Sequence, residues 1–106
     1  YTSTDRFIRA TYLRHQLRCS HNEDENLMNC FKVLESVSIP QGADIDANKI
    51  HYTQYQLVME SKERSYYIKP YFSNQIFKIK LTEDLLSKNE MTFLPINHEL
   101  KITSIQ

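Results

Sequence analysis

The apolar residues change their period once, near residue 50, and a chain that does this commits its two halves to different secondary structure. Before that point the spacing is helical. Ala10, Leu13 and Leu17 fall on one stripe with Phe7 at its margin, while Ile8 and Tyr12 lie on a second flank. This predicts a helix over about residues 3–18, covered on two sides. Thr2, Ser3 and Thr4 offer hydroxyl caps, and Asp5 places an acid in the first turn. Leu27, Cys30, Phe31, Leu34 and Val37 recur at three and four, which predicts a second helix over about residues 22–37. Ser20 with Glu23 makes a capping-box pair, and Glu23, Asp24 and Glu25 suit the positive end of the helix dipole. Ile39-Pro40-Gln41-Gly42 stops this helix, and residues 43–49 read as an exposed loop carrying Asp44, Asp46 and Asn48.

From Ile50 onward, aromatic and β-branched runs alternate with polar turns. Strands are predicted over about residues 50–60, 65–72, 75–82 and 91–96, with a helical turn at 83–87. Ser61-Lys62-Glu63-Arg64 and Ser73-Asn74 supply the turns, so the first three strands form an antiparallel meander. Pro70 cannot donate to a ladder, which predicts an edge strand or a bulge. Five of the seven tyrosines (Tyr52, Tyr55, Tyr66, Tyr67 and Tyr71) fall in this half, where cross-strand aromatic pairing is expected. Two helices followed by a meander define an α+β layout with helices against one face of a sheet.

Composition removes several functions. With 106 residues the chain has the length of one domain. Its single glycine, Gly42, excludes the Gly-rich loops that bring backbone close to phosphates or dinucleotides. Thirteen basic residues balance thirteen acidic ones, so there is no excess charge for nucleic acid or an anionic membrane. The arginines of the first helix, Arg6, Arg9, Arg14 and Arg18, point in several directions. No apolar run is long enough to span a bilayer. Cys19 and Cys30 form neither a CxxC pair nor part of a zinc pattern, and are expected to be reduced, buried or half-buried thiols. His15, His21, His51 and His98 lack the spacing of a metal-binding helix, and Asp44 and Asp46 lack the glycine and terminal glutamate of a calcium loop. The chain opens Tyr1-Thr2-Ser3 without an initiator Met, as expected of a cut or cropped start.

Arg6 is the anomalous residue. It shares a helical stripe with Ala10, Leu13 and Leu17, which aims a guanidinium along the buried side, and it sits in the first turn, where the dipole disfavours a cation. Two readings follow. Either Arg6 runs past the helix end or pairs with Asp5 or another acid, or it faces a cleft at a functional site.

The segment Thr2-Ser3-Thr4-Asp5-Arg6-Phe7-Ile8-Arg9-Ala10 resembles the choloylglycine hydrolase family, which includes bile salt hydrolases and penicillin V acylases. The family's next helix carries Phe-x-x-Leu-x-Ser-Val followed by Pro-x-Gly, matched by Phe31, Leu34, Ser36, Val37, Pro40 and Gly42. Its following strands carry Tyr-Thr-x-Tyr, then Tyr-Tyr with a later Tyr and Asn, matched by Tyr52, Thr53, Tyr55, Tyr66, Tyr67, Tyr71 and Asn74. Gln56-Leu57-Val58-Met59 and Phe72-Ser73 depart from the family's usual residues, which leaves the subfamily, and with it the substrate, open.

The resemblance implies the C-terminal part of an αββα N-terminal-nucleophile hydrolase sandwich, beginning just after the family's usual Gly-x-Pro-Gly-Asp turn. The nucleophile of such enzymes is a cysteine at the mature N-terminus whose own α-amino group is the base. Cys19 and Cys30 match no nucleophile motif, so the cysteine is expected upstream, in the remainder of the chain, and this stretch alone is expected to be inactive. Arg6 corresponds to the family's catalytic arginine beside that cysteine, and Arg9 to a second arginine that supports the helix or an ion pair. The implied reaction cleaves a linear amide of a small molecule, such as a conjugated bile salt, penicillin V or an acyl-homoserine lactone. It requires no metal or organic cofactor, and the implied assembly is a homotetramer. Relatives occur in the cytoplasm and, with an upstream signal, outside it. The competing reading is a non-catalytic α+β binding module in which Arg6 forms a structural ion pair and the tyrosine-rich strands make a partner surface.

Overall fold

The computed structural model describes residues 2–42, 44–46, 49–96 and 98–105, and of residues 44–46, 49 and 50 the backbone alone. Two compact units divide the chain, Tyr1–Thr53 and Gln54–Gln106.

In the first unit, helix α1 spans Ser3–Gln16 and α2 spans Glu23–Ser36, and the two pack against each other. Thr2 caps α1: its hydroxyl accepts from the Asp5 amide at 3.1 Å, while the Asp5 carboxylate accepts from the Thr2 amide at 3.0 Å. Two amides that the helix leaves without intrahelical partners are thereby satisfied reciprocally. The cap of α2 is Asn22 and not Ser20. The Asn22 side chain accepts from the Asp24 and Glu25 amides, whereas Ser20 donates its hydroxyl to the Glu25 carboxylate at 2.6 Å. The cap therefore falls two residues later than the Ser20–Glu23 spacing suggests. Asn26 fixes it further, pairing with both backbone groups of Ser20 at 2.9 Å.

Phe31, at 3% exposure, is the centre of this unit. Ala10 and Leu13 face inward with it, half-buried, as their stripe predicted. The second flank of α1 is different: Ile8 and Tyr12 are exposed, as is Phe7 at the margin of the first stripe, so α1 is covered on one side and not on two. No described residue of the first unit supplies a layer for that flank. Cys19 and Cys30 are free and exposed, contrary to the expected burial. Cys30 lies one residue around α2 from Phe31, which takes the inward position, and Cys19 sits in the connector.

Within the expected loop at 43–49 the backbone forms a short hairpin. Strand β1, Asp44–Asp46, pairs antiparallel with β2, Lys49–His51, with Ile45 opposite Ile50. Ala43, Ala47 and Asn48 lie outside the described residues. Gly42 precedes the hairpin at φ +97, a left-handed conformation that suits the one residue without a Cβ.

The second unit holds a three-stranded antiparallel sheet in the order β3-β4-β5, with β3 at Tyr55–Glu60, β4 at Ser65–Pro70 and β5 at Phe77–Lys80. The long run predicted over 50–60 is broken because Thr53 spends its amide on Ile39, 3.0 Å away. Pro70 is at neither an edge strand nor a bulge. It ends the central strand, opposite Tyr55 and beyond the last β5 pair, Ile68 with Phe77, so no ladder bond to β5 is lost. A short helix α3, Glu83–Leu86, follows, capped by Thr82. Residues 91–96 form no strand. Pro95 interrupts the run, Met91 and Phe93 are exposed, and no ladder partner lies beside them among the described residues. Asn74 instead ties the later chain down, donating to the Lys101 carbonyl at 2.7 Å and accepting from its amide at 3.1 Å.

Register places Tyr55, Leu57, Met59, Tyr66, Ile68, Phe77 and Ile79 on one face of the sheet, and Gln56, Val58, Glu60, Tyr67, Lys69, Lys78 and Lys80 on the other. On β3 the usual burial is inverted. Tyr55 and Met59 are 58% and 68% exposed, while Gln56, Val58 and Glu60 are half-buried. The β3–β4 turn is organised by Glu60, whose carboxylate accepts from the Lys62 and Glu63 amides at 3.0 and 2.6 Å. Arg64 closes it at φ 53, and its carbonyl accepts from Leu81 at 2.8 Å. Across the ladder, Lys78 lies over the Tyr67 ring at 5.7 Å and 3.7 Å from the Glu63 carboxylate; Tyr67 first, then Glu63, holds its ammonium above the ordinary lysine range.

Two outcomes follow. The hydrogen bonds from Thr2, backbone first and hydroxyl second, hold the Asp5 carboxyl below its ordinary value. Its contribution to α1 is therefore complete above an unfolded-state value of about 3.9 and is lost as pH falls through the lowered folded value. A carbon-detected NMR titration is expected to place the Asp5 midpoint below that of a short peptide, with amide protection in the first turn of α1 fading in parallel. Ser65 is 1% exposed and its hydroxyl has no partner among the described residues. Because an unsatisfied buried hydroxyl is a cost, Ser65→Ala is expected to leave stability unchanged or raise it by about 1 kcal/mol in thermal unfolding.

Candidate active site

Arg6 is half-buried between the two helices, and its Nε donates to the Val37 carbonyl at 2.8 Å. Val37 is the C-cap of α2, and the last turn of α2 contains no basic residue of its own. A helix C-terminus leaves carbonyls without intrahelical partners and carries the negative end of the dipole. Arg6 answers both needs from the neighbouring helix. The two rules it breaks in its own helix are thus met at another helix's end, by a carbonyl and not by an acid.

The acceptor is held from several directions. Ser36 and Ser38 return their hydroxyls to the carbonyls of Val33 and Leu34, at 2.6 and 2.9 Å. The Ser38 amide donates to Glu35 at 3.2 Å. Thr53 then takes both backbone groups of Ile39: its hydroxyl accepts from the Ile39 amide at 2.9 Å and its amide donates to the Ile39 carbonyl at 3.0 Å. The family-like positions Arg6, Ser36-Val37 and Thr53, three places far apart in sequence, are brought together here. Tyr66, Tyr67, Tyr71 and Asn74 belong to the second unit and serve its sheet and its later chain.

With Nε committed, the terminal nitrogens of the Arg6 guanidinium carry no hydrogen bond to any described residue. A guanidinium fixed at one nitrogen presents its remaining donors in a planar fork, the geometry that matches a carbonyl, a carboxylate or a thiolate. Arg9 is exposed on α1. Among the described residues no three His, Cys, Asp or Glu side chains are placed to hold a metal ion, and no helix is long and apolar enough to cross a membrane. Thr53 was visible in sequence only as part of Tyr-Thr-x-Tyr. Its use as a clamp depends on a contact across fourteen residues that no local pattern announces.

The sequence and the fold match a known class of enzymes. The model of the linear amide C–N hydrolases, choloylglycine hydrolase family, matches residues 1–94, and the chain belongs to that family. It is 24% identical over 105 residues to a bile salt hydrolase/transferase of Lactiplantibacillus plantarum, an alignment covering 98% of this chain and 32% of that protein. Two crystallised variants of the conjugated bile acid hydrolase of Clostridium perfringens share its fold. They superpose with TM-scores of 0.77 and 0.76 at 24% and 23% identity, over all of this chain and 32% and 33% of theirs. The chain thus spans about a third of the length of these relatives, and its two helices followed by antiparallel strands are those of the C-terminal part of the hydrolase sandwich.

Replacing Arg6 with a residue of similar length and no charge removes the cap from α2 while keeping its packing. Arg6→Met is expected to lower stability by about 1–2 kcal/mol, since a charge-assisted hydrogen bond and a dipole interaction are lost together. Thermal or urea unfolding measures this, and an unchanged midpoint would show that the Val37 carbonyl gains nothing from the contact.

Proposed function

We propose that this chain forms the C-terminal third of a cysteine N-terminal-nucleophile hydrolase that cleaves a linear amide of conjugated bile salt or penicillin V type, with Arg6 as a catalytic residue. The observation that carries the reading is the Arg6 guanidinium, anchored through Nε at a helix end with its terminal donors bonded to no described residue, in a chain of the linear amide hydrolase family. The rest of the fold, about two thirds of the relatives' length, would supply the cysteine. The apolar stripes left open on α1 and β3 are suited to packing against it.

In this reading the cysteine's α-amino group takes the thiol proton, and the thiolate adds to the amide carbonyl. Collapse of the tetrahedral adduct breaks the C–N bond, the amine leaves with the proton held by the amino group, and an acyl-thioester remains. Water activated by the same amine then releases the acid. Arg6 contributes positive charge beside the sulfur, which favours thiolate over thiol, and paired donors that position the thiolate or the substrate carbonyl. The chemistry needs no metal or organic cofactor. By the same likeness the enzyme is a homotetramer.

Arg6→Lys keeps the charge and loses the fork. In the complete hydrolase it is expected to lower kcat/KM by about a hundredfold while leaving the circular dichroism spectrum unchanged. Near-normal turnover of that variant would reduce Arg6 to a helix cap and favour a non-catalytic role for these residues.

A further inference from the structure

We propose that Thr53 is a positioning residue for Arg6. The proposal rests on the catalytic reading of Arg6 and deepens it. The Val37 carbonyl that fixes Arg6 Nε belongs to the peptide between residues 37 and 38, and the amide that Thr53 Oγ1 holds belongs to the next peptide. Only the two soft dihedrals of Ser38 separate these planes. Ser38 is itself tied back into α2 through its amide to Glu35 and its hydroxyl to Leu34. Once Thr53 grips both the amide and the carbonyl of Ile39, the direction of the Val37 carbonyl is determined, and with it the plane of the guanidinium.

The device is economical in bonds and sensitive in geometry. If the Thr53 hydroxyl is removed, the Ile39 amide loses its acceptor and the segment leaving α2 gains a rotation about Ser38. The Arg6 contact then survives only by following a carbonyl that moves. A fork displaced by a fraction of an ångström still neutralises charge nearby but no longer aligns with a reacting carbonyl or sulfur, so the loss falls on the chemical step more than on substrate binding. Thr53 touches no reacting atom in this scheme and acts through Arg6 alone.

The experiment is a double-mutant cycle in the complete hydrolase, with the deconjugation of glycine- or taurine-linked bile salts and of penicillin V as assays. Thr53→Val preserves the branched shape and the amide bond to Ile39 and removes only the hydroxyl. It is expected to lower kcat about tenfold with KM changed less than about twofold, and to move the acidic limb of kcat/KM to higher pH, because a misplaced cation stabilises the thiolate less. Thr53→Ser, which restores the acceptor, is expected to recover most of the rate. The Arg6→Lys, Thr53→Val double variant is expected to be no slower than Arg6→Lys alone. Wild-type kcat and pH profile in Thr53→Val, alongside a disabled Arg6→Lys, overturn the positioning role and leave the reading of Arg6 intact. Multiplying losses in the double variant also overturn it. A fully active Arg6→Lys overturns the reading of Arg6, and the role of Thr53 falls with it. Thr53→Ala carries the same expectations if the valine variant does not fold.

Discussion

A guanidinium in the first turn of a helix faces the positive end of that helix's own dipole, and at Arg6 this unfavourable placement is offset by the negative end of another helix. The contact from Arg6 Nε to the Val37 carbonyl joins the start of α1 to the finish of α2, so the end of α2 is completed from α1, while Thr2 and Asp5 close the start of α1. The remaining features of the first unit are arranged around that junction. The serine hydroxyls turned back into α2 and the Thr53 clamp on Ile39 define where α2 stops and in which direction the Val37 carbonyl points.

Local chemistry was readable from sequence wherever the partner lay within a few residues. The cap at Thr2 with Asp5, the burial of Phe31, the three-strand meander and the helical turn near residue 83 are all dictated by short-range spacing and alternation. What depended on distant neighbours was not readable. Asn22 displaced Ser20 as a cap because Asn26 and Glu25 already engage Ser20. Pro70 ended the central strand harmlessly because β5 stops short of it. Residues 91–96 have the residue types of a strand and no neighbouring edge to join. The oddity of Arg6 was evident from the helical stripe, but its acceptor was a backbone carbonyl thirty-one residues away, and carbonyls leave no mark in a side-chain pattern.

Each unit also carries apolar surface that its own residues do not cover. In the first it is the flank of Ile8 and Tyr12, with Phe7 exposed at the margin of the other stripe, and in the second the outward stripe of Tyr55, Leu57 and Met59. Soluble chains seldom leave contiguous patches of this kind open without use. A span of about a third of the relatives' length, with helices and strands that superpose on theirs, gives these patches a natural physical reading as halves of larger contacts.

Strand β3 turns that observation into a statement about register. In most half-buried sheets a slip of one residue is forbidden because it would carry the apolar side chains into water. Here a slip of β3 would turn Tyr55, Leu57 and Met59 toward the side where Gln56, Val58 and Glu60 now sit, so burial within this unit does not oppose it. The alignment must be enforced at the end of the hairpin. The Glu60 carboxylate gripping the Lys62 and Glu63 amides, with Arg64 held in a left-handed conformation, makes the turn a template that counts residues for the strands.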